Sequence, residues 1–324
     1  MSASEIWARE RPWFVKVGAA GVAGGILAML GFILLQAAIG GGANFESLED
    51  ANDNSAGVWL AGIATCLGYL LLTAPFHFLF RAARDRSDRV KGQIVGLVVL
   101  GPVLLAISAP IISAGTQDAA NRYLGGEVGS TLSAGEAKEE CVEEREEDGA
   151  EQFEEDFEAS GGKSALAVCE EEKTNEDIAS ESIRETGLLT VGQFVGLAGT
   201  FALLFSLLYT GLWSMRTGLL TRFWGALGMA VGVASLIGFS PITFIWFIYL
   251  GLLLSGAVPG GRPPAWEAGK AIPWPTPGEK AAAEMSPGPD EDATIDVDAP
   301  EIDPGDGSRG NGGGGPRRKR KRRE

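Results

Sequence analysis

The sequence predicts an all-α fold: a polytopic membrane helix bundle of about six transmembrane helices, three on each side of an acidic extracytoplasmic insertion, with a disordered cytoplasmic tail ending in a polybasic run. Three observations predict it. Apolar runs recur along the 324 residues, each near the roughly 20 residues that a spanning helix needs. The charges are segregated: the formal net charge is -15, yet the mean hydropathy is +0.10, so polar connectors alternate with strongly apolar spans. Lys and Arg collect in alternate connectors, as they do on the cytoplasmic side of membrane proteins. A single water-soluble core is thereby excluded, and the acidic balance argues against general nucleic-acid binding.

Residues 1–16 read as a cytoplasmic amino terminus, with Arg9, Arg11 and Lys16 beside Trp7, Trp13 and Phe14. Residues 17–114 hold the first three spans. Val17 to Ile39 is longer than the roughly 7–15 apolar residues of a signal peptide, so it reads as a retained helix, cleavage being the alternative. Gly21 and Gly25 stand at the spacing that lets a neighbouring backbone come close. Gly40 to Ala56 carries Glu46, Glu49, Asp50 and Asp53 and no Lys or Arg, and Gly57 to Phe80 is the second span. Arg81, Arg84, Arg86, Arg89 and Lys91 follow. These five are the topology-determining residues: they place their own loop in the cytoplasm and the first loop outside. His77, the single histidine, comes after Pro75 at the end of this span. A proton relay or ligand is the sharp reading, and an interfacial ring reaching headgroups or a carbonyl is the bland one. Cys66 lies about 16 Å away along the helix, too far to share a metal with it. Gln93 to about Ala114 is the third span, and Pro102 and Pro110 predict a kink and a looser outer end.

Residues 115–187 form the acidic domain. Twelve carboxylates fall between Glu139 and Glu158, and hydrocarbon would not accept them. Parity puts this segment outside, where disulfides persist, so Cys141 and Cys169 are expected to pair, with two free thiols as the alternative. Closing their loop of roughly 28 residues is worth about 3–4 kcal/mol by chain entropy. Ala137 and Cys141, then Phe153 and Phe157, recur at helical spacing and suggest short helices on either side of Gly149. The carboxylate field suits divalent cations or cationic envelope components as partners. The spacing of an EF-hand is missing, so no defined metal site is expected, and no cofactor. Ser160 to Ser164 ends like a phosphate-binding loop, but Phe157 stands where that loop needs its first glycine.

Residues 188–258 hold the remaining spans. Leu188 to about Met215 is the fourth, and Arg216 and Arg222 mark its cytoplasmic end. Phe223 to Val258 carries no charge and is interrupted by Gly238, Ser240 and Pro241, which reads as a tight helical hairpin with arms of about 17 residues. One long tilted helix is the alternative and would put the carboxyl tail outside. The near-identical strings at Gly92–Leu97 and Gly192–Leu197 do not open matching spans, so an inverted repeat is disfavoured. Residues 259–324 are rich in Pro, Gly and acidic residues and read as disordered. Trp266 and Trp274 either dock on the bundle or interface or belong to a plain linker. After an acidic stretch from Asp290 to Asp306, the residues Arg317, Arg318, Lys319, Arg320, Lys321, Arg322 and Arg323 form a run suited to the anionic inner leaflet, with RNA or the acidic stretch itself as alternatives.

The Arg-rich connector after the second span, the string Val99-Leu100-Gly101-Pro102-Val103-Leu104-Leu105 and the hairpin with its Pro/Trp tail resemble uncharacterised multispanning membrane proteins of actinobacteria. The resemblance implies a multi-pass protein of a bacterial plasma membrane and supplies no catalytic residues. Zinc motifs, paired intramembrane aspartates and a nucleophile elbow are missing from the sequence, so no enzyme is expected. A noncatalytic scaffold, sensor or envelope-interaction protein is the first expectation. A small-solute or ion transporter or channel is the alternative, weakened because the proposed spans contain no Asp, Glu, Lys or Arg.

Overall fold

The computed structural model describes residues 2–149, 153, 164–238 and 240–275, and the described residues contain helices and no strand. In chain order the helices are α1 (Ala3–Glu10), α2 (Phe14–Ile39), α3 (Asn44–Asp53), α4 (Ser55–Arg86), α5 (Val95–Leu124), α6 (Ala134–Asp148), α7 (Ala165–Glu185), α8 (Gly187–Thr217), α9 (Arg222–Ala234), α10 (Ser240–Ser255) and α11 (Pro264–Ala268). Local chemistry sets the boundaries of several. Ser2 and Glu5 form a capping box at the start of α1, and Ser133 and Glu136 form one at the start of α6. Ser164, the last residue of the apparent phosphate loop, caps α7 by accepting the Ala167 N–H.

Four helices among the described residues are long and apolar enough to cross a membrane: Ala3–Ile39, Ser55–Arg86, Gly92–Leu124 and Gly187–Thr217. Two shorter apolar helices follow. The long helices are apolar on every side: Phe194 and Phe205 of α8 and Ile33 of α2 are more than half exposed on the outer surface of the bundle. A helix apolar all round is suited to lipid rather than water.

The six apolar helices pack in sequence, α2 on α4, α4 on α5, α5 on α8, α8 on α9 and α9 on α10, and α10 returns to α2 to close the ring. Neighbours run antiparallel. Along α5 and α8, Gly101 meets Leu203, Leu105 meets Gly199, Ile112 meets Gly192 and Gly115 meets Leu189, one number falling as the other rises. Glycine makes these seams close. A Cβ on Gly24 of α2 would stand 2.9 Å from the carbonyl oxygen of Gly68 in α4, and one on Gly21 would stand 2.9 Å from the Gly251 Cα of α10. In lipid such backbone contact supplies the dispersion energy that the hydrophobic effect supplies in water. The end where α2 begins and α4 ends is termed the basic end. It holds an aromatic core that includes Phe14, Phe76, Phe80, Trp246, Phe247 and Trp266.

Three expectations change here. The third apolar helix does not loosen near Ala114: α5 runs to Leu124 with Pro102 and Pro110 inside it. Its extra turns are held by Gln117, whose amide donates to the Ala51 carbonyl at 2.7 Å, and by the burial of Ala119 and Ala120 against Leu48, Ala179 and Leu189. The charge-free run is a hairpin, not one long helix. The chain turns at Gly238, which has φ 79°, and Gly228 lies against Trp246 across the two arms. Its arms, 13 residues in α9 and 16 in α10, are shorter than expected because a 3-10 turn, Ser235–Ile237, ends the first. Finally, the compact unit continues to Trp274, so residues 259–274 are packed rather than part of a disordered tail. Phe157, residues 160–163, the acidic stretch 290–306 and the basic run 317–323 lie outside the described residues.

Candidate functional site

At the acidic end, opposite the basic one, α3, α6, α7 and the last turns of α5 form a platform. Cys141 and Cys169 are joined by a disulfide between α6 and α7. Both cysteines are buried, together with Phe153, in a cluster that also takes in Ala165 and Leu166. Carboxylates do much of the remaining joining. The Asp177 carboxylate accepts the backbone N–H of Leu132 at 3.0 Å and of Thr131 at 2.6 Å, and the Ser130 hydroxyl at 2.8 Å, which ties the loop before α6 to α7. Those donors, the Leu132 N–H foremost, hold its carboxyl below the ordinary aspartate range. Glu176 accepts from the Asn44 side-chain amide and from the Phe45 N–H at 3.3 Å, which fixes the first turn of α3. Lys173 pairs with Glu144 across α6 and α7 at 2.9 Å.

Other carboxylates have no such use. Glu139, Glu140, Glu143, Glu146 and Glu147 are exposed along α6. Glu172 is raised above the ordinary glutamate range, first by burial and then by the neighbouring charges of Glu46, Glu144 and Glu171. No group of three or more His, Cys, Asp or Glu is gathered closely enough to hold a metal ion among the described residues. What the platform offers chemically is a negative field on helices tied together by a disulfide and by hydrogen bonds.

The basic end is joined differently. Arg86 is buried in α4, and its guanidinium donates from Nη1 and Nη2 to the two Glu10 carboxylate oxygens at 2.7 and 2.8 Å. Its other N–H groups reach the carbonyls of Ala82, Ala265 and Trp266, each at 3.0 Å. All five donors of the fork are therefore satisfied, which is the condition for burying a charge. Trp266 is fully buried, stacks on Phe78 and donates its indole N–H to the Leu219 carbonyl at 2.9 Å. The Trp274 indole does the same to Leu220 at 2.8 Å, and Ile272 N–H donates to the Thr217 carbonyl at 3.0 Å. Gly218, at φ 79°, makes the close approach of Ile272 feasible.

The five topology-determining cations are thus not equivalent. Arg86 is an internal strut, while Arg81, Arg84, Arg89 and Lys91 are exposed. The Lys91 backbone N–H donates to the Tyr209 hydroxyl at 2.8 Å. Sequence reasoning missed Glu10, whose partner is 76 residues away. The signal that was available is a carboxylate set between Arg9 and Arg11 beside an aromatic cluster. His77 and Arg81 line a cleft of about 250 Å³ together with Arg9, Trp13 and Asp85. Cys66 is a free, partly buried thiol.

Comparison with protein-family models, with curated proteins and with solved structures finds no match to this chain.

Proposed function

We propose that the chain is a noncatalytic integral membrane scaffold of a bacterial plasma membrane, which presents a rigid acidic platform to cationic components of the envelope. The observation that carries this reading is that, among the described residues, α6 and α7 are joined to each other by the Cys141–Cys169 bond, α7 to α3 by Glu176, and α7 to the ends of the apolar helices α5 and α8 by the packing of Ala179 with Ala119, Ala120 and Leu189. Carboxylates held at fixed spacing act together on a polycation, whereas a loose loop of the same composition loses entropy on binding. In this reading all six apolar helices cross the membrane, the basic end is cytoplasmic and both termini lie inside. The orientation rests on Arg81, Arg84 and Arg89, and the bacterial membrane rests on the actinobacterial resemblance. The run 317–323 then meets the anionic inner leaflet.

The test is binding of polylysine to intact cells making the full chain. At low salt, Gln at Glu139, Glu140, Glu143, Glu146 and Glu147 is expected to weaken it about tenfold, a loss that salt itself reproduces. Equal binding by the variant sinks the envelope role. Export of a reporter fused after Glu324 sinks the topology.

One observation favours the alternative of a small-solute or ion transporter or channel: Thr210 and Ser214 of α8 are buried, and their hydroxyls have no hydrogen-bond partner among the described residues. Solute-dependent flux in vesicles that is lost in Ser214→Val would make this second reading the first.

A further inference from the structure

The last turns of α4 carry two clefts, of about 250 Å³ and about 510 Å³, which share His77, Arg81 and Asp85. The smaller lies between this helix and the α1–α2 junction, and its lining carries two cations, Arg9 and Arg81, and two carboxylates, Glu10 and Asp85, but Glu10 is taken by Arg86 from outside the lining. Asp85 is engaged by Arg9 and Glu10 by Arg86. The exposed Arg81 guanidinium and the His77 ring are the groups left over among the described residues that line it. The floor is apolar, formed by Val17, Ala74 and Phe78, and the exposed Trp13 stands at the rim.

We propose that this cleft binds one anionic phospholipid, with Arg81 and His77 holding its phosphate. The inference rests on the membrane reading above and adds a ligand to it. A guanidinium is matched to phosphate oxygens in shape as well as charge. The apolar floor is suited to the first carbons of an acyl chain, and the volume, below the roughly 300–1,000 Å³ of small-ligand pockets, encloses a headgroup and little more. Basic pockets between membrane helices at the cytoplasmic face recognise acidic headgroups by this chemistry. The indole of Trp13 belongs at the same depth, where aromatic residues mark the interface.

The test uses the full chain with residues 317–323 changed to Ser, so that lipid on the basic run is not counted. Native mass spectrometry after release from nanodiscs of equal phosphatidylglycerol and phosphatidylcholine reads which lipid is retained. One phosphatidylglycerol, preferred about tenfold, is expected, the size of one charge-assisted contact. Arg81→Gln is expected to abolish the preference, Arg81→Lys to keep part of it, and Arg89→Gln, outside the cleft, to keep all of it. If Arg81→Gln does not fold, His77→Gln is read in its place with the same expectation. Equal retention of both lipids by the parent, unchanged preference in Arg81→Gln, or equal loss in Arg89→Gln overturns the site. Retention of glycerol phosphate in the absence of lipid overturns the lipid in favour of a soluble phosphate. Carbonate extraction separates the two levels: release of the chain overturns the membrane reading itself, whereas a retained chain without lipid preference overturns this site alone.

Discussion

The two ends of the bundle solve one problem, tying helix ends together, with opposite chemistry. At the acidic end the carboxylates are acceptors: Asp177, Glu176 and Glu136 take backbone N–H groups of loops and first turns, while Gln117 donates to the Ala51 carbonyl. At the basic end Arg86, Trp266 and Trp274 are donors and give N–H to carbonyls in α4, in the turn after α8 and in the tail. Each end thus satisfies backbone groups that helix termini and turns leave open, the acidic end mainly with carboxylates and the basic end with a guanidinium and two indoles. The ends differ in what else they contribute. The basic end buries large aromatic rings around its ion pair, whereas the acidic end has small clusters around Ala119 and Ala179, around Ala51 and around Phe153, the last of them closed by a covalent bond.

Breaking the buried ion pair should be the most damaging change to either end. Arg86→Ala or Glu10→Ala leaves its partner charged and buried, and about 3–5 kcal/mol of stability should be lost, read from denaturant unfolding in mild detergent. A loss under about 1 kcal/mol would show that the pair is solvated. Reduction of Cys141–Cys169 comes next, at about 3 kcal/mol. Its effect should be confined to the platform, so hydrogen exchange should rise in α6 and α7 and stay unchanged at Trp266. Exchange rising equally at both ends would erase the distinction between them. Trp266→Phe keeps most of the ring packing and removes the bond to Leu219, for about 1–2 kcal/mol at the basic end.

The smallest effect is a pH dependence. The Asp177 carboxyl is held below its unfolded value, so its contribution is present above the unfolded value of about 3.9 and is lost as pH falls through the lower folded value. Glu172 is raised and has the opposite sign, since protonation relieves it. Comparison with Asp177→Asn removes the shared Glu172 contribution. The parent should lose more acid stability than the variant between pH of about 5 and about 2, and parallel curves would deny Asp177 its role.

The helices, the hairpin and the disulfide were legible because each has a local signal. Apolar run length marks α2, α4, α5 and α8, Gly238 marks the turn, and two cysteines in one polar segment mark the bond. The platform was less legible. Helix α3 sits in a connector whose sequence showed only acidic residues, and Asp177, one carboxylate among many, is singled out by donors at 130–132 that folding brings to it. The basic end was misread in part because a run of arginines reads as solvated charge. Nothing local separates Arg86 from Arg84 until Glu10 and the Ala265 and Trp266 carbonyls arrive. The two Gly-Gln-x-Val-Gly-Leu strings illustrate the converse: Gly96 has nothing near it, whereas Gly196 lies against Ser108, so like sequence serves unlike surroundings.

The shortness of the hairpin has a consequence for the lipid around it. Helix α10, with 16 residues, rises about 24 Å, against a hydrocarbon thickness of about 30 Å. The exposed Ile237 at the tip is 83% accessible, while the neighbouring α8 has 31 residues. If the hairpin crosses, the mismatch beside it is met by a thinner bilayer or by flanking residues reaching outward, and beside α8 it is not. That lopsided deformation costs fractions of a kcal/mol per ångström. Two copies meeting hairpin to hairpin would share one such patch, and the deformation that each imposes would fall along that side.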